Sequence, residues 1–133
     1  MRPAARFISS VVLGLTAAVV ACEDAFGPSR AVVLRITAIE APAEVRSNEE
    51  LVVRVTIQTG GCLSFTGLDA VKTTGRFTLT ARGTDSSGPT VDCPADIRTE
   101  VRDVRGTPPH TDPMTVVANQ PDGSTTTRTV RVR

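Results

Sequence analysis

The sequence predicts an all-β domain, an antiparallel sandwich of about seven strands, over residues 31–133. Three observations carry this. Segments of branched or alternating apolar residues recur at roughly ten-residue spacing. Gly, Pro and Asp cluster between them. No stretch beyond Cys22 sustains a helical period.

Taken in order, Val32 to Ile39 is rich in branched residues and reads as one strand, with Leu34, Ile36 and Ala38 on one face and Ala41-Pro42 ending it. Leu51 to Gln58 carries the clearest signal. Leu51, Val53, Val55 and Ile57 alternate with Val52, Arg54, Thr56 and Gln58, as a strand with one wet face requires. Gly60-Gly61 turns the chain, and Cys62 to Leu68 follows as a strand containing Phe65. Arg76 to Thr84 alternates again, setting Phe77, Leu79 and Ala81 against Thr78, Thr80 and Arg82. Asp85 to Pro89 is a loop. Ile97 to Val104 is a charged strand suited to a sheet edge. Thr107 to Pro113 is a proline-rich break before the strand Met114 to Ala118. Asn119 to Gly123 reads as a hairpin turn, with Asp122-Gly123 supplying positive φ, and Thr125 to Val132 returns as the last strand.

Ahead of this domain the chain changes character. Met-Arg-Pro-Ala-Ala-Arg gives a positive start, and Phe7 to Val20 is an apolar run. As a helix those residues span about 21 Å, short of the roughly 30 Å hydrocarbon core. Residues 1–21 therefore read as a signal peptide. Residues 22–30 read as a linker around Gly27-Pro28. Eight extended residues reach at most about 28 Å, which keeps the domain close to a membrane if Cys22 is anchored.

Val19-Val20-Ala21-Cys22 resembles the lipobox of bacterial lipoproteins. The resemblance implies cleavage after Ala21, lipidation of the Cys22 thiol and attachment to the cell envelope, with the outer membrane the expected site because Glu23 follows the cysteine. Two or three acyl chains anchor stably where one does not. The alternative is an ordinary secretory signal cut at Ala21. Cysteine parity speaks for lipidation: the chain has three cysteines, and an odd count in an exported protein needs an explanation. Lipidation removes Cys22 and leaves Cys62 and Cys93, which an oxidising compartment would join. The loop between them corresponds to about 3.7 kcal/mol of chain-entropy stabilisation. A redox or metal thiol pair would instead favour close spacing such as Cys-x-x-Cys.

The layout also resembles small immunoglobulin-like lipoproteins of bacteria. Leu34-Arg-Ile-Thr-Ala-Ile-Glu-Ala-Pro42 followed by Glu50-Leu-Val-Val-Arg-Val-Thr-Ile57 carries the likeness, as does Gly61-Cys62-Leu-Ser-Phe65 with Cys93 about thirty residues on. It implies an immunoglobulin-like sandwich and export, and no particular activity. The core tryptophan and tyrosine corner of antibody-type domains are absent, since the chain has no Trp or Tyr.

Composition narrows the function. Without residues 1–21 the chain is 112 residues with 13 Lys+Arg against 14 Asp+Glu. That balance excludes a basic field for nucleic acid. Sugar platforms rest on Trp or Tyr faces, which are lacking.

A catalytic triad needs a histidine base, and the one histidine, His110, lies in the proline-rich stretch with no Gly-x-Ser-x-Gly elbow in the chain. His110 with Met114 suggests blue copper, but a second histidine is missing. Asp85, Asp92, Asp96, Asp103 and Asp112 offer oxygen ligands of the calcium type at spacings matching no calcium loop. The reading is therefore a non-catalytic binding or structural module with no cofactor. Its partners are the membrane through Cys22 and an envelope protein. The candidate contact loops are Gly83–Cys93 and Thr107–Pro113. The alternative is a protease inhibitor or chaperone-like protein acting through a loop.

Overall fold

A computed structural model describes residues 29–133. The signal peptide, Cys22 and nearly all of the linker lie outside the described residues. The described chain is all-β and forms nine strands in two sheets: β1 (Arg30–Val33), β2 (Ile36–Glu40), β3 (Glu44–Val45), β4 (Leu51–Thr59), β5 (Leu63–Thr73), β6 (Arg76–Asp85), β7 (Arg98–Gly106), β8 (Met114–Asn119) and β9 (Thr125–Val132).

The smaller sheet is antiparallel, in the order β2-β4-β7. The larger is mixed. β5 pairs β6 antiparallel along its whole length, with one register shift between Phe65 and Gly67. β1 and β8 share the other edge of β6, β1 against residues 82–85 and β8 against 76–79. β9 and then β3 complete that sheet. The β6–β8 and β3–β9 pairings are parallel, which corrects the expectation of antiparallel sheets throughout. Period-2 alternation fixes which face of a strand is buried. It carries no information about the direction of the neighbour.

The inward rows of both sheets meet in one core. β4 contributes Leu51, Val53, Val55 and Ile57, all fully buried, and β6 contributes Phe77, Leu79 and Ala81. β8 lies between β6 and β9, and Met114, Val116, Val117 and Ala118 are all buried.

Val32 to Ile39 is two strands, not one. The chain leaves the larger sheet after Val33 and enters the smaller at Ile36. A bulge between Ile36 and Ala38 then shifts the phase, so Ile39 is buried and Ala38 is exposed. At the hairpin turn only Gly123 takes positive φ (82°), and Asp122 instead accepts hydrogen bonds from Ser124. Gly60 and Gly61 both take positive φ, as their turn requires. β7 is an edge strand.

Candidate functional site

The edge strands β5 and β7 meet along a seam that holds a cleft. Its geometry begins with register. Across an antiparallel pair, opposed residues project from the same face of the sheet. Arg98, Glu100 and Arg102 of β7 stand opposite Thr59, Ile57 and Val55 of β4, whose side chains point inward. The charged row of β7 therefore lies on the side facing the other sheet, while Val101 is turned out and half exposed (50%). Sequence periodicity separates these two rows. It does not say which is inward, and the apolar Val101 suggests the wrong one.

Phe65 of β5 meets this row. The Arg102 guanidinium carbon lies 5.0 Å from the centroid of the Phe65 ring. Its Nη2 pairs with Glu100 Oε2 at 2.9 Å, and its Nη1 donates to the Val101 carbonyl at 3.0 Å. Toward the disulfide end, Asp96 links three elements. Its Oδ1 accepts the Gly61 N–H at 2.9 Å, and its Oδ2 pairs with Arg98 Nε at 2.6 Å. The Gly61 N–H, and after it Arg98, hold the Asp96 carboxyl below the usual aspartate range. Gly60 is obligatory here for a second reason: a Cβ on it would fall 2.5 Å from the Asp96 carbonyl oxygen.

The resulting cleft is about 370 Å³, with Leu63 and Phe65 on one wall and Arg98, Glu100 and Arg102 on the other. Farther along the seam, Leu68 and Val104 pack against the core. Lys72 Nζ closes it by donating to the carbonyls of Thr107 and Pro109.

Cys62 and Cys93 form a disulfide with a Cα–Cα distance of 5.1 Å. It ties the crossover from β6 to β7 to the β4–β5 turn. The two candidate loops lie at opposite ends of the domain. Residue 85 of β6 stands beside Arg30 and Leu63, and Pro113 lies beside Gly75, which precedes the start of β6. Nine residue steps of strand separate these ends, roughly 30 Å.

His110 is buried, 4% exposed, within the loop at the far end. Its Nε2 lies 2.9 Å from the Glu49 carbonyl and its Nδ1 has no partner. Its backbone N–H donates to the Ser47 carbonyl at 2.9 Å. His110 is thus part of the wall of the domain.

The five aspartates singled out in the sequence are dispersed. Asp85 accepts the Ser87 N–H and pairs with Arg30. Asp103 holds Arg54 through two contacts on the outer face, Asp112 accepts the Val132 N–H, and Asp92 is exposed. Among the described residues no three side chains of metal-ligating type converge. The cleft offers ion pairs, backbone groups and an aromatic face. Compared with known proteins, the chain matches no family model, no curated protein and no solved structure.

Proposed function

We propose that this chain is an exported lipoprotein, anchored through Cys22, that carries a non-catalytic β-sandwich binding module of immunoglobulin-like type. The observation that carries the binding reading is the seam. Arg98, Glu100 and Arg102 occupy inward-register positions. There a domain selected for stability alone gains more from apolar side chains, since isolated exposed ion pairs contribute only about 0–1 kcal/mol. The order β2-β4-β7 corresponds to three strands of one immunoglobulin sheet, which supports the sandwich reading; the parallel β6–β8 pair sets this chain apart within it.

The anchor reading rests on the sequence: the basic start, the short apolar run and the cysteine that follows. It gives the domain an orientation. β1 starts at Arg30, opposite Asp85, which on its other side pairs with Leu63 of the cleft, so a tether from Cys22 meets the domain at its cleft end. The loop carrying His110 then points away from the bilayer. The loop-borne inhibitor is the weaker reading, because Thr107–Pro113 is held down by Lys72 and by the burial of His110.

Two measurements test the proposal. In fractionated cells, Cys22→Ser protein is expected in the soluble envelope fraction; retention with the membranes overturns the anchor. Envelope extract passed over immobilised full-length protein and over its Phe65→Ala/Arg102→Ala variant is expected to yield a ligand held only by the former. Equal retention overturns the seam as the binding surface.

A further inference from the structure

Strand edges are templates for pairing, and proteins guard them by shortness, charge, bulges or cover. Five strands among the described residues have a single strand neighbour: β1, β2, β3, β5 and β7. β1 is four residues long. β3 is two residues long. β2 is five residues long and bulged, and the Gln120 side chain occupies both the N–H and the carbonyl of Ile36. β7 carries five charges in nine residues: Arg98, Glu100, Arg102, Asp103 and Arg105. β5 is the exception. It is eleven residues long, contains no proline and carries only Asp69 and Lys72 as charges.

Those two charges are also drawn back onto the domain. Asp69 takes Arg82 Nε at 2.7 Å, and Lys72 reaches the Thr107 and Pro109 carbonyls. Beyond the register shift, Gly67–Thr73 runs in unbroken register against Arg82–Arg76. The edge there has a low profile. A Cβ on Gly67 would meet nothing within 4 Å, Ala70 is exposed, and Val71 is 58% exposed. In an antiparallel ladder every second residue turns both its N–H and its carbonyl away from the existing neighbour. β5 thus presents a neutral, smooth row of free backbone groups.

We infer that Gly67–Thr73 is a docking edge for an extended segment of a partner polypeptide, which adds antiparallel to β5 as a further strand. The segment is about seven residues long and free of proline, as strand addition requires. Opposite Leu68 and Ala70, which share the inward face of β6 residues Ala81 and Leu79, it carries small or apolar side chains. Opposite Asp69 and Thr73 it carries polar ones, and opposite Val71 a β-branched residue.

The choice of a partner segment over a second copy rests on the anchored reading above. The chain enters the domain at Arg30, at the end where β5 begins. Copies tethered to one bilayer by about eight residues, at most roughly 28 Å, stand the same way up. Their β5 strands then run in the same direction. Antiparallel self-pairing would invert one copy and lift its tethered end by about the height of the domain.

The test uses the full chain in detergent micelles, with the amidated peptide Thr-Val-Thr-Ile-Thr-Val-Thr as probe, read by amide hydrogen exchange. Alternate amides within residues 67–73 are expected to slow at least tenfold when the peptide is present. A peptide N-methylated along one edge is expected to give no slowing. Val71→Lys is solvent-exposed and should leave the exchange pattern of β4 and β8 unchanged while weakening peptide binding at least tenfold. Absence of slowing, or binding indifferent to Val71→Lys, overturns the proposal. So does a peptide-free dimer in sedimentation that Val71→Lys dissolves, because it makes a second copy the occupant. None of these readouts depends on the anchor, so failure here is distinct from retention of Cys22→Ser in the membrane fraction.

Discussion

The side-chain amide of Gln120 pairs with both backbone groups of Ile36. Its Nε2 donates to the Ile36 carbonyl at 2.9 Å, and its Oε1 accepts the Ile36 N–H at 3.2 Å. Nε2 also donates to Thr126 Oγ1 at 3.0 Å. Gln120 is 7% exposed and Ile36 3%. The contact lies where the chain passes from the larger sheet to the smaller, so β2 has no strand neighbour there on its outer side. A primary amide presents a donor and an acceptor side by side, and Gln120 stands in for the missing strand.

Gln120→Leu is therefore expected to destabilise the domain by about 2–4 kcal/mol, because two buried backbone groups lose their partners at once. Gln120→Glu is expected to destabilise too, since a carboxylate cannot donate to the Ile36 carbonyl. Urea unfolding of the three proteins checks this. A loss below about 0.5 kcal/mol for the leucine variant, the range of ordinary surface changes, would remove the strand-substitute role.

Strand existence was legible where a residue's environment is set by its own strand. The alternation of Leu51 to Ile57 located β4, and the charge density of β7 marked it as an edge. What depended on distant partners was not legible. Gln120 sits in a turn whose residues suit a turn, and its target is 84 positions away. The bulge that exposes Ala38 leaves no local mark. β3 is too short for any period. Of the candidate site, the sequence supplied the Gly60-Gly61 turn, Phe65 and the Cys62–Cys93 pair. The facing of Arg98, Glu100 and Arg102 follows only from their pairing with β4, because both rows of β7 contain charge.

Gly83 and Gly67 should respond oppositely to alanine. A Cβ on Gly83 would lie 2.5 Å from the Ser64 carbonyl oxygen and 2.6 Å from Cδ1 of Leu34, a fully buried residue on the crossing between the sheets. Backbone cannot give way as a flexible side chain does, so Gly83→Ala is expected to cost about 1–3 kcal/mol. A Cβ on Gly67 meets nothing within 4 Å, and Gly67→Ala should stay within about 0.5 kcal/mol of the parent. Thermal melts of the pair measure the contrast, and equal losses would contradict the packing at Gly83.

Removing the disulfide tests how the cleft is held. Cys62→Ala/Cys93→Ala is expected to lower stability by about 2–5 kcal/mol. The crossover 86–97 contains no strand, and besides the disulfide its ties to the β4–β5 turn include Asp96 to Gly61 and Ser86 to the Cys62 carbonyl. Hydrogen exchange in the double variant should therefore rise first in that crossover and at Gly61, with β4 and β8 still protected. Uniform acceleration through the core would mean that the bond stabilises the whole domain without a specific hold on the cleft.

Acid should weaken the domain through identified carboxylates. Asp85, Asp96, Asp103 and Asp122 are all held below the ordinary aspartate range, chiefly by Ser87, the Gly61 N–H, Arg54 and Ser124 respectively. Each binds its proton less tightly folded than unfolded. The unfolded chain thus takes up more protons on acidification. The stability these groups add is present in full above about pH 4 and is lost as pH falls through their lowered folded values. Asp96→Asn isolates one of them. Its amide oxygen still accepts the Gly61 N–H but does not titrate, so the variant should be less stable than the parent at pH 7, with the gap narrowing as the pH falls from about 4 into the acid range. A gap that stays constant across that range would mean that Asp96 contributes by shape alone. Salt separates the two causes of its shift. The hydrogen bond from Gly61 is short-ranged and survives screening, whereas the coulombic part of the attraction to the exposed Arg98 is weakened by it. Most of the pH-dependent gap should therefore persist in about 1 M sodium chloride, where the Debye length is roughly 3 Å.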